Sequence, residues 1–145
     1  MYRLSIDPGI VYGWALWRNS SWEDLCMPQS CGVVSCSGNE LSFVNALASS
    51  VESQFGHLRL THVYIEYPMF FDNEGGIKVA KTGDLIKLAC AVGSIGGALN
   101  SLTKAHIVLN PVRQWKGQMP KSVVINKIKS KLPLIEETLN PTSHA

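Results

Sequence analysis

A long part of this 145-residue chain lacks acidic residues: no Asp or Glu occurs from Leu85 to Ile135. The same stretch contains eight lysines and arginines, whereas the rest of the chain has five basic and eleven acidic residues. Charge that is separated in this way predicts that one region of the molecule holds cations and another contacts a polyanion.

Signals for export and for membrane insertion are also missing. The N-terminus MYRLSIDPG has no basic region followed by a long apolar core, so we expect a cytoplasmic protein without a secretion signal. The longest apolar window, Leu85 to Leu102, is interrupted by Lys87 and contains Gly93, Gly96, Gly97 and Asn100. This composition argues against a membrane span and favours a buried helix with a stripe of small residues.

Cysteine is scarce, and its spacing is not that of a metal site. The four residues form no C-x-x-C pair and have no His at ligand spacing (Cys26, Cys31, Cys36 and Cys90). A structural zinc site is therefore poorly supported, and we expect free, mostly buried thiols. The 46% hydrophobic and 17% charged residues are typical of a globular protein, and the length predicts one domain over residues 1–145.

Alternating and helical hydrophobic patterns predict eight elements in the order β-β-β-α-β-α-β-α. The predicted strands are Tyr2–Asp7, Val11–Trp17, Gly32–Cys36, Thr61–Tyr67 and Ala105–Leu109, and the predicted helices are Leu41–Phe55, Lys78–Ser101 and Lys121–Lys131. This order predicts an α/β fold, a five-stranded mixed sheet flanked by helices. The first and fourth strands are expected to be parallel neighbours because a helix connects the hairpin to the fourth strand.

A carboxylate lies inside the most hydrophobic N-terminal stretch, LSIDPGIVYGWALW, as Asp7. Burial of an unpaired charge is costly, so we expect this side chain to have a partner. Glu66 ends the fourth strand, and both carboxylates would face each other at the centre of the sheet. Such a pair either shares a proton or binds Mg²⁺ or Mn²⁺. Alternatively, Asp7 only begins a turn at Pro8-Gly9 and Glu66 is a surface residue.

Five blocks in order resemble one known family: IDPGIVYGWA, VYIEYP, TGDLIKLACAVGSIGGAL, NPVRQWKGQMPKSVVINKI and NPTSHA. They are similar to the RuvC-type Holliday-junction resolvases, in particular their phage-like branch, and extend over nearly the whole chain. The resemblance implies an RNase H-like fold. It also implies a metal-dependent endonuclease that hydrolyses phosphodiester bonds in four-way junctions or related branched DNA.

The resemblance implies a metal site with four ligands and two Mg²⁺ or Mn²⁺ ions. Asp7 and Glu66 match the first two ligands, and His144 matches the third. The fourth, an Asp three residues later, has no counterpart because the sequence ends at Ala145. The domain is therefore expected to be C-terminally incomplete, with its last helix missing. The alternative function is a catalytically impaired RuvC-like protein that binds branched DNA without cleaving it.

The resemblance also implies which residues face DNA. Arg113, Lys116 and Lys121 are expected to contact phosphates, with Lys121 closest to the metal ions in a catalytic role. Phe70 or Phe71 would stack on bases at the branch point. The alternatives are a solvated basic face and a phenylalanine that belongs to the core.

A homodimer is expected from the two apolar strips on the predicted helix 78–101, since two-fold symmetry matches a four-way junction. A single thick buried stripe in a monomer is the alternative.

No nucleotide cofactor is expected, because the chain lacks the Gly- and Thr-rich phosphate loop of an actin-like ATPase. The host would be a bacterial or phage-infected cell.

Overall fold

The computed structural model describes residues 1–9, 11–18, 28–36, 40–67, 84–111 and 119–131. The strands are β1 (Tyr2–Asp7), β2 (Val11–Arg18), β3 (Ser30–Ser35), β4 (Leu60–Tyr67) and β5 (His106–Pro111). The helices are α1 (Glu40–Phe55), α2 (Asp84–Thr103) and α3 (Lys121–Lys131). The predicted order of elements is confirmed.

The strands form a five-stranded mixed sheet in the order β3-β2-β1-β4-β5. The antiparallel strands β1, β2 and β3 make up one side of the sheet. Helix α1 then carries the chain across the sheet, so that β4 pairs in parallel with β1 and β5 in parallel with β4. The predicted parallel pairing of the first and fourth strands is confirmed, and the carboxyl ends of β1, β4 and β5 lie at one edge.

Alternation along the strands divides the sheet into two faces. One face is packed against α1 and α2 and forms the core, which includes Leu4, Ile6, Val63 and Ile65 from the strands and Leu47, Val51, Phe55, Ile95 and Leu99 from the helices. Each fully buried aliphatic side chain of this kind contributes roughly 1.5–3 kcal/mol. We call the other side the open face, because neither α1 nor α2 packs on it.

Helix α2 approaches the sheet closely at Gly96. A Cβ atom at this position would lie 3.4 Å from Cδ1 of Ile65, so the missing side chain lets the helix pack tightly on β4. The hydroxyl of Ser94 donates a hydrogen bond of 2.8 Å to the carbonyl of Val44, which ties α2 to α1. The predicted small-residue helix is therefore a packing element of the core.

The opposite side of α2 is apolar and exposed. Ile86 is 68% exposed, and no atom of the described residues lies within 4 Å of a Cβ atom placed at Gly93 or Gly97. By length and composition alone, the segment Leu85–Thr103 would suffice to cross a membrane, and 28% of it is buried in the fold. Within the described structure, the helix thus has one side packed on protein and one exposed side.

One prediction lies partly outside the described residues, and another differs from the structure. The described part of α2 begins at Asp84, and residues 78–83 of the predicted helix lie outside the described residues. The described thiols are less buried than expected, since Cys36 is buried but Cys31 is half-buried and Cys90 is exposed, while Cys26 lies outside the described residues. Cys90 is exposed because it lies on the outer side of α2, which periodicity alone cannot distinguish from the buried side. Burial raises the pKa of the Cys31 thiol.

Candidate active site

Asp7 and Glu66 occupy adjacent positions at the carboxyl ends of β1 and β4. The parallel register pairs Ile6 with Ile65, so the two carboxylates follow at the next position of each strand. Neighbouring strands lie about 4.8 Å apart, which brings the two side chains within reach of one shared cation. The sequence prediction that these strands meet at the sheet centre is confirmed.

Both carboxylates project from the open face. Ile6 and Ile65, one residue earlier, are buried on the helix-covered face, and successive side chains of a strand point to opposite faces. A Cβ atom built at Gly13, the β2 partner of Asp7, would lie 3.9 Å from the Cβ of Asp7 on this same side. The absence of a side chain at Gly13 therefore leaves space beside the Asp7 carboxylate.

A cleft of about 320 Å³ lies over this end of the sheet. The described residues that line it are Ser5, Ile6, Asp7, Gly13, Trp14, Ala15, Tyr64, Glu66 and Asn110. Its polar side chains come from three adjacent parallel strands and include both carboxylates. The arrangement presents several oxygen donors to a bound cation or to a polar substrate.

The expected burial of Asp7 is wrong. Asp7 is exposed and Glu66 is half-buried, and no charged residue is among the buried side chains of the described structure. The apolar stretch around Asp7 suggests burial, but Asp7 is the last residue of β1 and points to the open face. Its apolar neighbours point to the core. The carboxylate therefore does not carry the desolvation cost of a buried charge.

Of the other predicted site residues, Lys121 is the one that lies within the described part of the chain. Lys121 is exposed at the start of α3 and does not belong to the described lining of the cleft. Phe70, Phe71, Arg113, Lys116 and His144 lie outside the described residues. Within the described part of the chain, no group of three or more His, Cys, Asp or Glu side chains is arranged to hold a metal ion. Two carboxylates are thus the acidic ligands that the described site offers.

Sequence reasoning missed three polar residues of the cleft: Ser5, Tyr64 and Asn110. The period of two in β-strands could have identified the first two, because Ser5 precedes Asp7 and Tyr64 precedes Glu66 by two positions. Asn110 was missed because the predicted last strand ended at Leu109, whereas β5 continues to Pro111. In the sheet, Asn110 is the direct partner of Glu66.

A row of basic residues lies on the same face, four positions before Asp7, Glu66 and Asn110 on their strands. Arg3 is paired with His62, and His62 with His106. The imidazole rings of His62 and His106 are 5.7 Å apart, and His62 stacks on Tyr64 at 6.0 Å. A separation of four residues in a strand is about 13 Å. The open face therefore carries acidic and basic groups at separate ends.

The strand order β3-β2-β1-β4-β5 and the helix crossover between β3 and β4 are those of an RNase H-like fold of the RuvC type. Among solved structures, the chain is similar to Thermus thermophilus RuvC, with a TM-score of 0.64 and 19% identity over 92% of this chain and 81% of that one. It is also similar to T. thermophilus RuvC in complex with Holliday junction substrate, with a TM-score of 0.65 and 18% identity over 92% and 80%. No protein-family model and no curated protein matches the sequence.

Proposed function

We propose that this protein is a metal-dependent, structure-selective DNA endonuclease that resolves Holliday junctions or related branched DNA. The observation that carries the proposal is the adjacent placement of Asp7 and Glu66 on the open face of a RuvC-like sheet. A further support is that one structural neighbour is in complex with Holliday junction substrate.

The donor chemistry of the cleft suits Mg²⁺ or Mn²⁺, because carboxylate oxygens are the preferred ligands of these ions. Asp7 and Glu66 would hold the ions, with His144 as the third ligand that the family resemblance implies. Bound divalent ions, two in the resembled family, would supply Lewis-acid chemistry for phosphodiester hydrolysis. The exposure of Asp7 leaves the site accessible to a bulky polyanion.

The basic residues would position the DNA. Lys121, and Arg113 and Lys116 by resemblance, would neutralise backbone phosphates near the cleft. Phe70 or Phe71, which follow β4 and Glu66 in the chain, would stack on an unpaired base at the branch point. These roles place acidic residues at the reacting phosphate and basic residues along the flanking strands.

The protein would be located in the cytoplasm of a bacterial or phage-infected cell. It would act there as a homodimer. Two copies paired through the exposed side of α2 would present two clefts related by a two-fold axis, which matches the symmetry of a four-way junction. The exposed apolar side of this helix supports the dimer.

A second candidate is a RuvC-like protein that binds branched DNA without cleaving it. It is favoured by the small number of described acidic ligands, since the described lining of the cleft contains two carboxylates and no third His, Cys, Asp or Glu. Such a protein would keep junction affinity but show no nicking with any divalent ion.

The test is a nicking assay on synthetic four-way junctions with Mg²⁺ or Mn²⁺, together with a binding assay. We expect Asp7→Asn and Glu66→Gln to abolish metal-dependent nicking, by at least about a hundredfold, while junction affinity changes little. Glu52→Gln, an exposed carboxylate on α1, is the matched control and should cut normally. Binding by the wild type without any nicking would instead establish the second candidate. Nicking that survives both substitutions would refute the assigned roles.

A further inference from the structure

Asn110 lies in one row with Asp7 and Glu66, at the carboxyl ends of three neighbouring strands. Asn110 on β5 is the direct partner of Glu66 on β4. Glu66 in turn lies beside Asp7 on β1. Because directly paired residues share a face, Asn110 projects onto the open face with both carboxylates, and it lines the same cleft. Its backbone is held by the ladder, so the sheet determines where its side chain begins relative to that of Glu66.

The carboxamide of Asn110 has the chemistry of a metal ligand and is not used to hold the fold together. Its oxygen accepts through two lone pairs, and amide oxygens bind hard divalent cations alongside carboxylates. Asn110 is half-buried and, within the described part of the chain, its side chain makes no hydrogen bond. The carboxamide oxygen and the NH2 group therefore remain available to a ligand in the cleft.

Charge explains why an amide suits this position better than a third acid. Two carboxylates already lie on adjacent strands, and a third anion about 4.8 Å from Glu66 would repel them when no cation is bound. A neutral oxygen adds a donor without this repulsion. The negative charges of Asp7 and Glu66 still attract a cation to these three side chains.

We propose that Asn110 is a further ligand of the metal site, which donates its carboxamide oxygen to the cation held by Glu66. The inference rests on the proposed metal-dependent function and adds a residue of this chain to the site. It assigns the described cleft three oxygen-donating side chains from three neighbouring strands, Asp7, Glu66 and Asn110.

Mn²⁺ binding to the purified full chain tests the proposal without activity, by electron paramagnetic resonance of free Mn²⁺ and by calorimetry. We expect Asn110→Leu, which keeps the size but removes the oxygen, to weaken Mn²⁺ binding by about tenfold. Asn110→Asp should tighten it, because the added negative charge lies next to the cation. Asn45→Leu and Asn45→Asp, at an exposed position of α1, should leave the affinity unchanged.

The outcomes separate this inference from the proposed function on which it rests. If Asp7→Asn weakens Mn²⁺ binding but Asn110→Leu does not, Asn110 is not a ligand, while the metal site itself stands. If the wild type binds no Mn²⁺ at millimolar concentration, both the metal site and the role of Asn110 are refuted. Circular dichroism and melting in EDTA verify that each variant is folded.

Discussion

At the scale of single residues, Tyr12 illustrates how the core accommodates a polar atom. Its ring is fully buried between β2 and α1. The phenol oxygen accepts a hydrogen bond of 2.7 Å from the Ser50 hydroxyl, and the phenol donates its own proton to Oε1 of Gln54 at 3.3 Å. Burial is the main reason why the pKa of Tyr12 is raised above its usual value of 10.0. The residue therefore anchors α1 to the sheet in its neutral form.

Tyr12→Phe should lower the free energy of unfolding by about 1–2 kcal/mol at pH 7, since the partners of the phenol lose their hydrogen bonds. The loss should shrink above about pH 10, because the unfolded wild type releases the Tyr12 proton there while the folded state retains it. The wild type is thus destabilised by rising pH through this residue, and the variant is not.

Urea denaturation at pH 7 and at about pH 10.5 measures both effects. Tyr67→Phe is the matched control, since Tyr67 is 42% exposed, and it should cost less than about 0.5 kcal/mol. A deficit of Tyr12→Phe that is equal at the two pH values would show that Tyr12 does not control the alkaline loss of stability.

At the scale of elements, α3 is an unusual helix. None of its 11 residues is buried, and its first turn contains no acidic residue. The helix begins after Pro120, whose carbonyl accepts hydrogen bonds from the backbone N–H groups of Val123 and Val124. Lys121 at this end is unfavourable for the helix dipole, whose N-terminus attracts anions. An anion such as a DNA phosphate would relieve this unfavourable interaction.

Lys121→Gln should weaken junction binding and reduce the slope of log affinity against log salt by about one unit, as expected for one lost phosphate contact. Lys104→Gln is the control, since Lys104 follows α2 at the edge of the sheet where β5 begins, far from the cleft. Binding titrations at several salt concentrations measure the slopes. Equal slopes for the wild type and Lys121→Gln would exclude Lys121 as a phosphate contact.

At the scale of the whole molecule, α2 links the core to a surface. Its inner side contributes Ala91, Val92, Ile95 and Leu99 to the core, and its outer side presents Ile86, Cys90, Gly93 and Gly97. Small residues in such a stripe allow two helices to approach closely. The same helix can therefore stabilise one copy and pair with another, which supports the proposed homodimer.

Gly97→Arg should convert the proposed dimer to a monomer, because a long charged side chain would occupy the space between the paired helices. The fold should survive, since no described residue comes within 4 Å of a Cβ atom at this position. Gly97→Ala is the control and should remain dimeric, with a helix about 0.5–1 kcal/mol more stable. Sedimentation velocity gives the oligomeric state. A monomeric wild type at high concentration would contradict the proposed dimer.

Much of the fold could be predicted from local pattern, and less of the site. The strand β1 and the helix α3 have the predicted bounds, because alternation and Pro120 mark them clearly. Parallel pairing of β1 with β4 followed from the helical crossover. Asn110 was missed because a strand end depends on pairing with its neighbour, which no local pattern encodes. The burial of Asp7 was misjudged for a related reason, since hydrophobic neighbours in sequence need not be neighbours in space.

The sequence by itself determined the order of the elements and the two carboxylates, because hydrophobic periodicity and turn residues act over a few neighbouring positions. The tertiary structure decided which groups share the cleft, through the register that places Asp7, Glu66 and Asn110 in one row. It also decided which side of α2 is buried, since two apolar strips of one helix are equivalent until one packs on the sheet. Register and packing depend on contacts between residues that are distant in the chain, and these contacts exist only once the chain has folded.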